Sequence, residues 1–121
     1  MRAILIDPFT RTISDIETDA SLDDLYKILH VDLITVVSFD REHAMILDDE
    51  GLLKGKDEQA YFWVKGADQP FAGRGLIVGD DYGENRAATI GLDKVREVVK
   101  FLDNDQVDPT EFLGWSIVTF A

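Results

Sequence analysis

The sequence predicts a single compact α+β domain of five to seven mostly antiparallel strands, with two main helices on one face. Three observations predict it. Short apolar, β-branched runs (Ala3–Ile6, Leu33–Phe39, Ala44–Leu47 and Leu76–Val78) recur between turn residues, at lengths that suit strands. Two other stretches, 22–30 and 92–103, carry their apolar residues at helical spacing. A chain of 121 residues, 45% of them apolar, can build one core but not two, so residues 1–121 read as one domain.

The chain opens with Arg2 to Asp7, closed by Pro8, which removes a donor and favours a turn. Thr12 to Glu17 returns as the second strand of a hairpin. Ile13 and Ile16 cannot share a face at period two, so a bulge or an early end is expected there. Ser21 is placed to cap a helix by accepting from the Asp24 amide, with Asp23 and Asp24 against the positive end of the dipole. Leu22, Leu25, Tyr26, Ile28 and Leu29 then form its apolar face, and His30 falls at its C-terminus. Leu33 to Phe39 is apolar on both faces and predicts an interior strand; Ala44 to Leu47 predicts another.

The stretch from Glu50 to Asp81 holds six of the nine glycines, four of the twelve basic residues and Trp63. It reads as a strand at Ala60 to Val64, a loop from Gly66 to Gly73, and a buried strand at 75–78 entered and left through glycine turns. Ala87 to Ile90 reads as a short strand. Leu92, Val95, Val98, Val99 and Leu102 give the cleanest helical stripe, so 92–103 is expected to be the second helix. Asp108-Pro109-Thr110-Glu111 has the cap, Pro and acid of a one-turn helix, after which Trp115 to Phe120 closes the chain as a strand.

Composition bounds the function. No cysteine is present, which removes disulfides and thiolate chemistry and fits a reducing, cytoplasmic setting. The opening residues lack a signal-peptide pattern, and no apolar run reaches the ~18–20 residues of a membrane span. A net charge of −12 argues against direct contact with nucleic acid or an anionic membrane and favours a basic protein partner. The alternative sources of the acidity are turns and caps, which Asp serves (17 of the 24 acids), or a salt-adapted host.

The motifs do not point to catalysis. Gly51-Leu52-Leu53-Lys54-Gly55-Lys56 has three residues between its glycines where a phosphate loop needs four, and Asp57 replaces the magnesium-binding hydroxyl. Gly73-Arg74-Gly75 precedes its strand, where a dinucleotide fingerprint follows one. The acid clusters do not follow the spacing of a calcium loop: from Asp103, the twelfth position is Gly114. His30 and His43 are the only imidazoles, and no serine sits in a nucleophile elbow. No catalytic residue, cofactor or metal ligand is assigned.

Several segments follow one another in a recognisable order: MRAILIDPFTRTISDIE, SLDDLYKILHVDLITVV, DDEGLLKG, FAGRGLIVGDD and IGLDKVREVVKFL. The chain resembles a family of small bacterial, phage and plasmid proteins known only as a domain of unknown function. The resemblance spans about residues 1–102 and leaves the Trp115 tail outside. It implies a mobile-element setting and a compact α+β fold, and no activity. In the acidic turn, Asp48 or Asp49 stands where that family's pattern has Asn.

Two surfaces are candidates for binding. Acids could present a negative face to a basic protein, as DNA mimics do, and the residues named for it are Asp80, Asp81, Glu84, Asp103, Asp105 and Asp108, with Trp115 or Phe120 as apolar anchor. The alternative is a module for a nucleotide or other small anion in the 54–74 segment, where Lys54, Lys56, Lys65 and Arg74 interleave with Tyr61 and Trp63. The C-terminal strand, if exposed, could pair across a dimer.

Overall fold

A computed structural model describes residues 1–31, 33–49 and 59–103. The chain order is β1 (Arg2–Asp7), β2 (Thr12–Glu17), α1 (Leu22–Leu29), β3 (Ile34–Ser38), β4 (His43–Asp48), β5 (Tyr61–Val64), β6 (Phe71–Ala72), β7 (Gly75–Asp81), β8 (Glu84–Arg86), α2 (Leu92–Val98) and β9 (Val99–Leu102). These elements form one mixed α+β domain with two antiparallel sheets. The larger has the order β2-β1-β7-β4-β3, with β8 also pairing to β7; the smaller has the order β6-β5-β9.

Both faces of the larger sheet are buried, and this organises the fold. On one face Ile4, Ile6, Met45, Leu47 and Ile77 pack with Phe62 and Phe71 of the smaller sheet and with Val95 of α2. On the other, Ala3, Ala44, Ile46, Leu76 and Val78 pack against Leu25 and Leu29 of α1. The two helices therefore cover opposite faces, which corrects the expectation of one face: strands β4 and β7 are apolar at consecutive positions and need cover on both sides. The same fact removes the expected bulge in β2. Its register with β1 is continuous from Arg2↔Glu17 to Asp7↔Thr12, so Ile13 joins one core and Ile16 packs on the other.

Helix α1 forms as its residues dictate. The Ser21 hydroxyl accepts from the Asp24 amide at 3.2 Å, and His30 closes the helix in the left-handed region at φ 57°. The second helix ends earlier than its stripe suggests. At Val99 the backbone turns extended (φ −100°, ψ 133°), and Val99–Leu102 pairs with β5 in the register Trp63↔Lys100. Val99 and Phe101 then reach the core at strand spacing, so β-branched and aromatic side chains at 98–101 favour the ladder over another helical turn.

Other expectations are also corrected. Strand β3 is the edge of its sheet, and Val36 is 54% exposed; apolar residues on both faces did not make it interior. The expected strand at 87–90 lies instead at Glu84–Arg86, and the 88–90 segment is tied down by Arg2, whose guanidinium donates to the Ala88 and Ile90 carbonyls at 2.9 and 2.7 Å. Gly75 and Gly79 lie within β7 and are not turns. A Cβ on Gly75 would meet the Phe62 ring at 2.9 Å, and one on Gly79 would meet the Ala87 carbonyl at 2.6 Å, so both are glycine for close approach. The loop expected from Gly66 to Gly73 contains the short strand β6. The expected helix near 109 and strand at 115–120 lie outside the described residues. No helix among the described residues is long and apolar enough to cross a membrane.

Candidate functional site

A concave surface with polar lining lies between edge strand β3 and the 65–71 loop. A hollow of about 220 Å³ is walled by Val37 and Ser38 on one side and by Gly66, Ala67, Asp68, Gln69 and Phe71 on the other. A second, of about 210 Å³, shares Ser38, Gly66, Ala67 and Phe71 with it and adds Lys65, Phe39, Met45 and Val64. The loop between them is built by its own hydrogen bonds. The Trp63 indole N–H donates to the Ala67 carbonyl at 3.0 Å, the Ala67 amide donates to Val64 at 2.9 Å, and the Lys65 amide donates to Val98 of α2 at 2.8 Å. Gly66 takes φ +94°, open to glycine without strain, to make the turn.

Gln69 sits in the wall of the first hollow and is only 2% exposed, yet neither its amide oxygen nor its amide nitrogen has a partner among the described residues. A buried polar group left in that state costs roughly 1–3 kcal/mol. Nothing in a single sequence marks Gln69 as buried: it precedes Pro70 in a glycine-flanked loop, where polar residues ordinarily face water. Val37 and Ser38 were equally hidden, because they reach the hollow only by way of the sheet edge.

A second polar node lies at His43, which is 3% exposed. Its Nε2 accepts from the Thr89 and Ile90 amides at 3.0 and 3.3 Å. Nε2 therefore carries no proton in the neutral ring, and Nδ1–H donates to Asp40 at 2.9 Å. The Thr89 hydroxyl, 3.2 Å from Nε2, completes an acid–imidazole–hydroxyl series in outline. However, the lone pair a general base would use is taken by two peptide N–H groups, so His43 fastens the 89–90 loop to the sheet. Partial burial raises the Asp40 carboxyl, but bonds from the Glu42 amide and the His43 ring outweigh it, and the net pKa is lowered.

The residues expected in the basic-aromatic segment are dispersed. Tyr61 is fully buried, which pushes its phenol pKa up, and its hydroxyl has no partner among the described residues. Trp63 is half-buried and spends its N–H on the loop. Arg74 pairs with Asp7 at 3.3 Å and stacks over the Phe9 ring at 4.6 Å. Lys65 reaches the second hollow, and Lys54 and Lys56 lie outside the described residues.

The named acids divide between the two ends of the larger sheet. Asp80, Asp81 and Glu84 form the β7–β8 tip, where Arg86 pairs with Asp81 at 2.8 Å and Glu84 at 3.4 Å. The register brings Glu42 and Asp40 beside them, since the Asp80 amide donates to the Glu42 carbonyl at 2.8 Å. Glu17, Asp19, Asp23 and Asp24 follow at the same end, where the amino terminus bonds the Thr18 carbonyl and the Thr18 hydroxyl meets Asp24. The Ser21 amide lowers the Asp19 pKa. With Asp15, which pairs with Arg2 at 2.7 Å, these make ten carboxylates among the described residues against Arg2, Arg41, Arg86 and the amino terminus, a surplus of six (ten minus four). Asp103 lies at the opposite end, paired with Arg11 at 2.5 Å; there, among the described residues, Asp7, Asp48, Asp49 and Asp103 stand with Arg11 and Arg74, a surplus of two (four minus two). Asp105, Asp108, Trp115 and Phe120 lie outside the described residues.

This is a two-sheet α+β domain with one helix on each face of its larger sheet and a walled hollow at the sheet's open edge. The chain belongs to the family described as a domain of unknown function, DUF3846, which matches residues 1–103. No curated protein matches it, and no solved structure does.

Proposed function

We propose that this chain is a non-catalytic accessory protein of the mobile-element kind, and that it docks a basic protein surface through the acidic end of its larger sheet. The observation that carries the reading is the concentration of carboxylates at the β7–β8 tip, the β3–β4 turn and the start of α1. Such a field raises encounter rates with a cationic partner and orients it. Carboxylates in an array can also imitate the phosphates of DNA. The test is titration with a lysine-rich peptide followed by amide chemical-shift mapping. Shifts should centre on Asp19, Glu42, Asp80 and Glu84, and should shrink between 0.01 and about 0.15 M salt as the Debye length falls from ~30 to ~8 Å. Shifts spread evenly over both ends of the sheet would overturn the reading.

A second reading, small-ligand binding by the 54–74 segment, is favoured by the hollow whose wall runs from Gly66 to Phe71 and by the unpartnered amide of Gln69.

A further inference from the structure

We propose that β3 is an interface between two copies of this chain, joined antiparallel about a twofold axis centred on Val36, so that the two larger sheets run on as one. The ladder sets which backbone groups serve. The Phe39 amide donates to His43 at 3.0 Å and the Asp49 amide to Leu33 at 3.1 Å, so alternate residues of β3, Thr35 and Val37 among them, bond toward β4. Ile34, Val36 and Ser38 therefore point their N–H and C=O groups out of the sheet, and among the described residues no backbone group bonds to them.

The two edges of the larger sheet differ. On β2 the outward residues are Ile13, Asp15 and Glu17: two carry charge, and the Arg96 guanidinium donates to the Ile13 carbonyl at 3.3 Å. Such devices keep an edge from pairing. The run from Leu33 to Phe39 has no charged residue and no proline, and Leu33 and Val36 are 48% and 54% exposed. An uncharged, β-branched edge of this kind invites another strand.

Charge selects a second copy as the occupant and fixes its direction. A chain of net charge −12 repels its own kind over most of its surface, but along this row a copy meets no like charge. A basic peptide finds its counter-charge at the acidic end and none along the row. The Ser38 end of β3 adjoins Asp40 and Glu42 of that acidic end, whereas the Ile34 end lies with Asp48. Antiparallel pairing sets each acidic end beside the less charged end of the other copy; parallel pairing would set the two acidic ends together. Centred on Val36, the twofold pairs Ile34 with Ser38 and Val36 with itself, so all three outward residues find partners. Leu33 then comes opposite Phe39 of the second copy, which covers an exposed apolar side chain.

The experiment is sedimentation velocity of the full chain from micromolar to millimolar concentration, at about 0.01 and 0.15 M salt. The sedimenting species should move to twice the chain mass as concentration rises. The dimer should tighten at least tenfold at the higher salt, because a Debye length shortened from ~30 to ~8 Å screens the repulsion between copies. That sign is opposite to the one expected for the lysine-rich peptide above, so the two readings fail separately. Val36→Glu and Val36→Lys should each weaken the dimer at least tenfold, since each sets like charges directly opposite one another across the axis. An equal mixture of the two variants should restore it, which also shows that both are folded. A chain that stays monomeric at millimolar concentration in both salts overturns the proposal. So does a dimer indifferent to both Val36 variants, or a mixture that associates no better than either variant alone.

Discussion

Asp40 shows how far a single side chain can act through its neighbours. It accepts from the Glu42 amide at 2.8 Å and from His43 Nδ1–H at 2.9 Å, and His43 in turn holds the Thr89 and Ile90 amides. Its folded pKa is lowered, so the ionised form stabilises the fold above the unfolded carboxyl value, about 3.9, and that contribution is lost as the pH falls through the folded value. Asp40→Asn keeps Oδ1, which takes both of the shorter bonds, and removes the charge, while its NH2 replaces the Oδ2 that lies 3.2 Å from His43 Nδ1. Its melting temperature should lie below wild type at pH 7, and the two should converge below about pH 4. A gap of constant size down to pH 3 would mean that the charge contributes nothing. The sequence revealed half of this arrangement. It isolated His43 as one of two imidazoles, but Thr89 lies 46 residues away, and only the pairing of β4 with β7 brings it to the ring.

At the scale of elements, strands and helix starts were legible where local chemistry acts alone. The Ser21 cap, the first hairpin and β4 follow directly from hydroxyl, proline and apolar runs. The misreadings arose where a distant partner decides. Val99–Leu102 became β9 because β5 required a neighbour, and β3 became an edge because β7 took the place beside β4. The glycines of β7 stand where turns are expected, yet each marks a close neighbour. This makes a graded prediction. Gly75→Ala meets the end of the Phe62 ring and the Met45 sulfur, which can shift, and should cost roughly 1–3 kcal/mol, as overpacking does. Gly79→Ala meets the Ala87 backbone carbonyl and has no such relief, so its loss in chemical denaturation should be the larger. Equal losses would show that the 86–87 chain yields as readily as a side chain. The hollow falls in the same class of hidden features: the loop is visible as Gly66 to Gly73, but the strand that faces it lies some thirty residues earlier.

For the whole molecule, the dominant quantity is a charge of −12 on 121 residues. A folded chain of this length has a radius of gyration of roughly 14 Å. At 0.01 M salt the screening length, about 30 Å, exceeds it, so every carboxylate repels every other; at 0.15 M it falls to about 8 Å and only neighbours interact. Unfolding relieves that repulsion, so adding salt should stabilise the protein. A gain near 1 kcal/mol would raise the melting temperature by roughly 4 °C. Position refines the expectation. Glu42 lies among the carboxylates of the acidic end, whereas Glu97 is compensated by Lys94 at 3.6 Å on α2. Glu42→Gln should therefore raise the melting temperature in low salt, and the gain should vanish as salt is added. Glu97→Gln should give no gain at either ionic strength. If the two substitutions behave alike, the carboxylates act as scattered solvated groups, and the acidic end loses its claim to steer a partner.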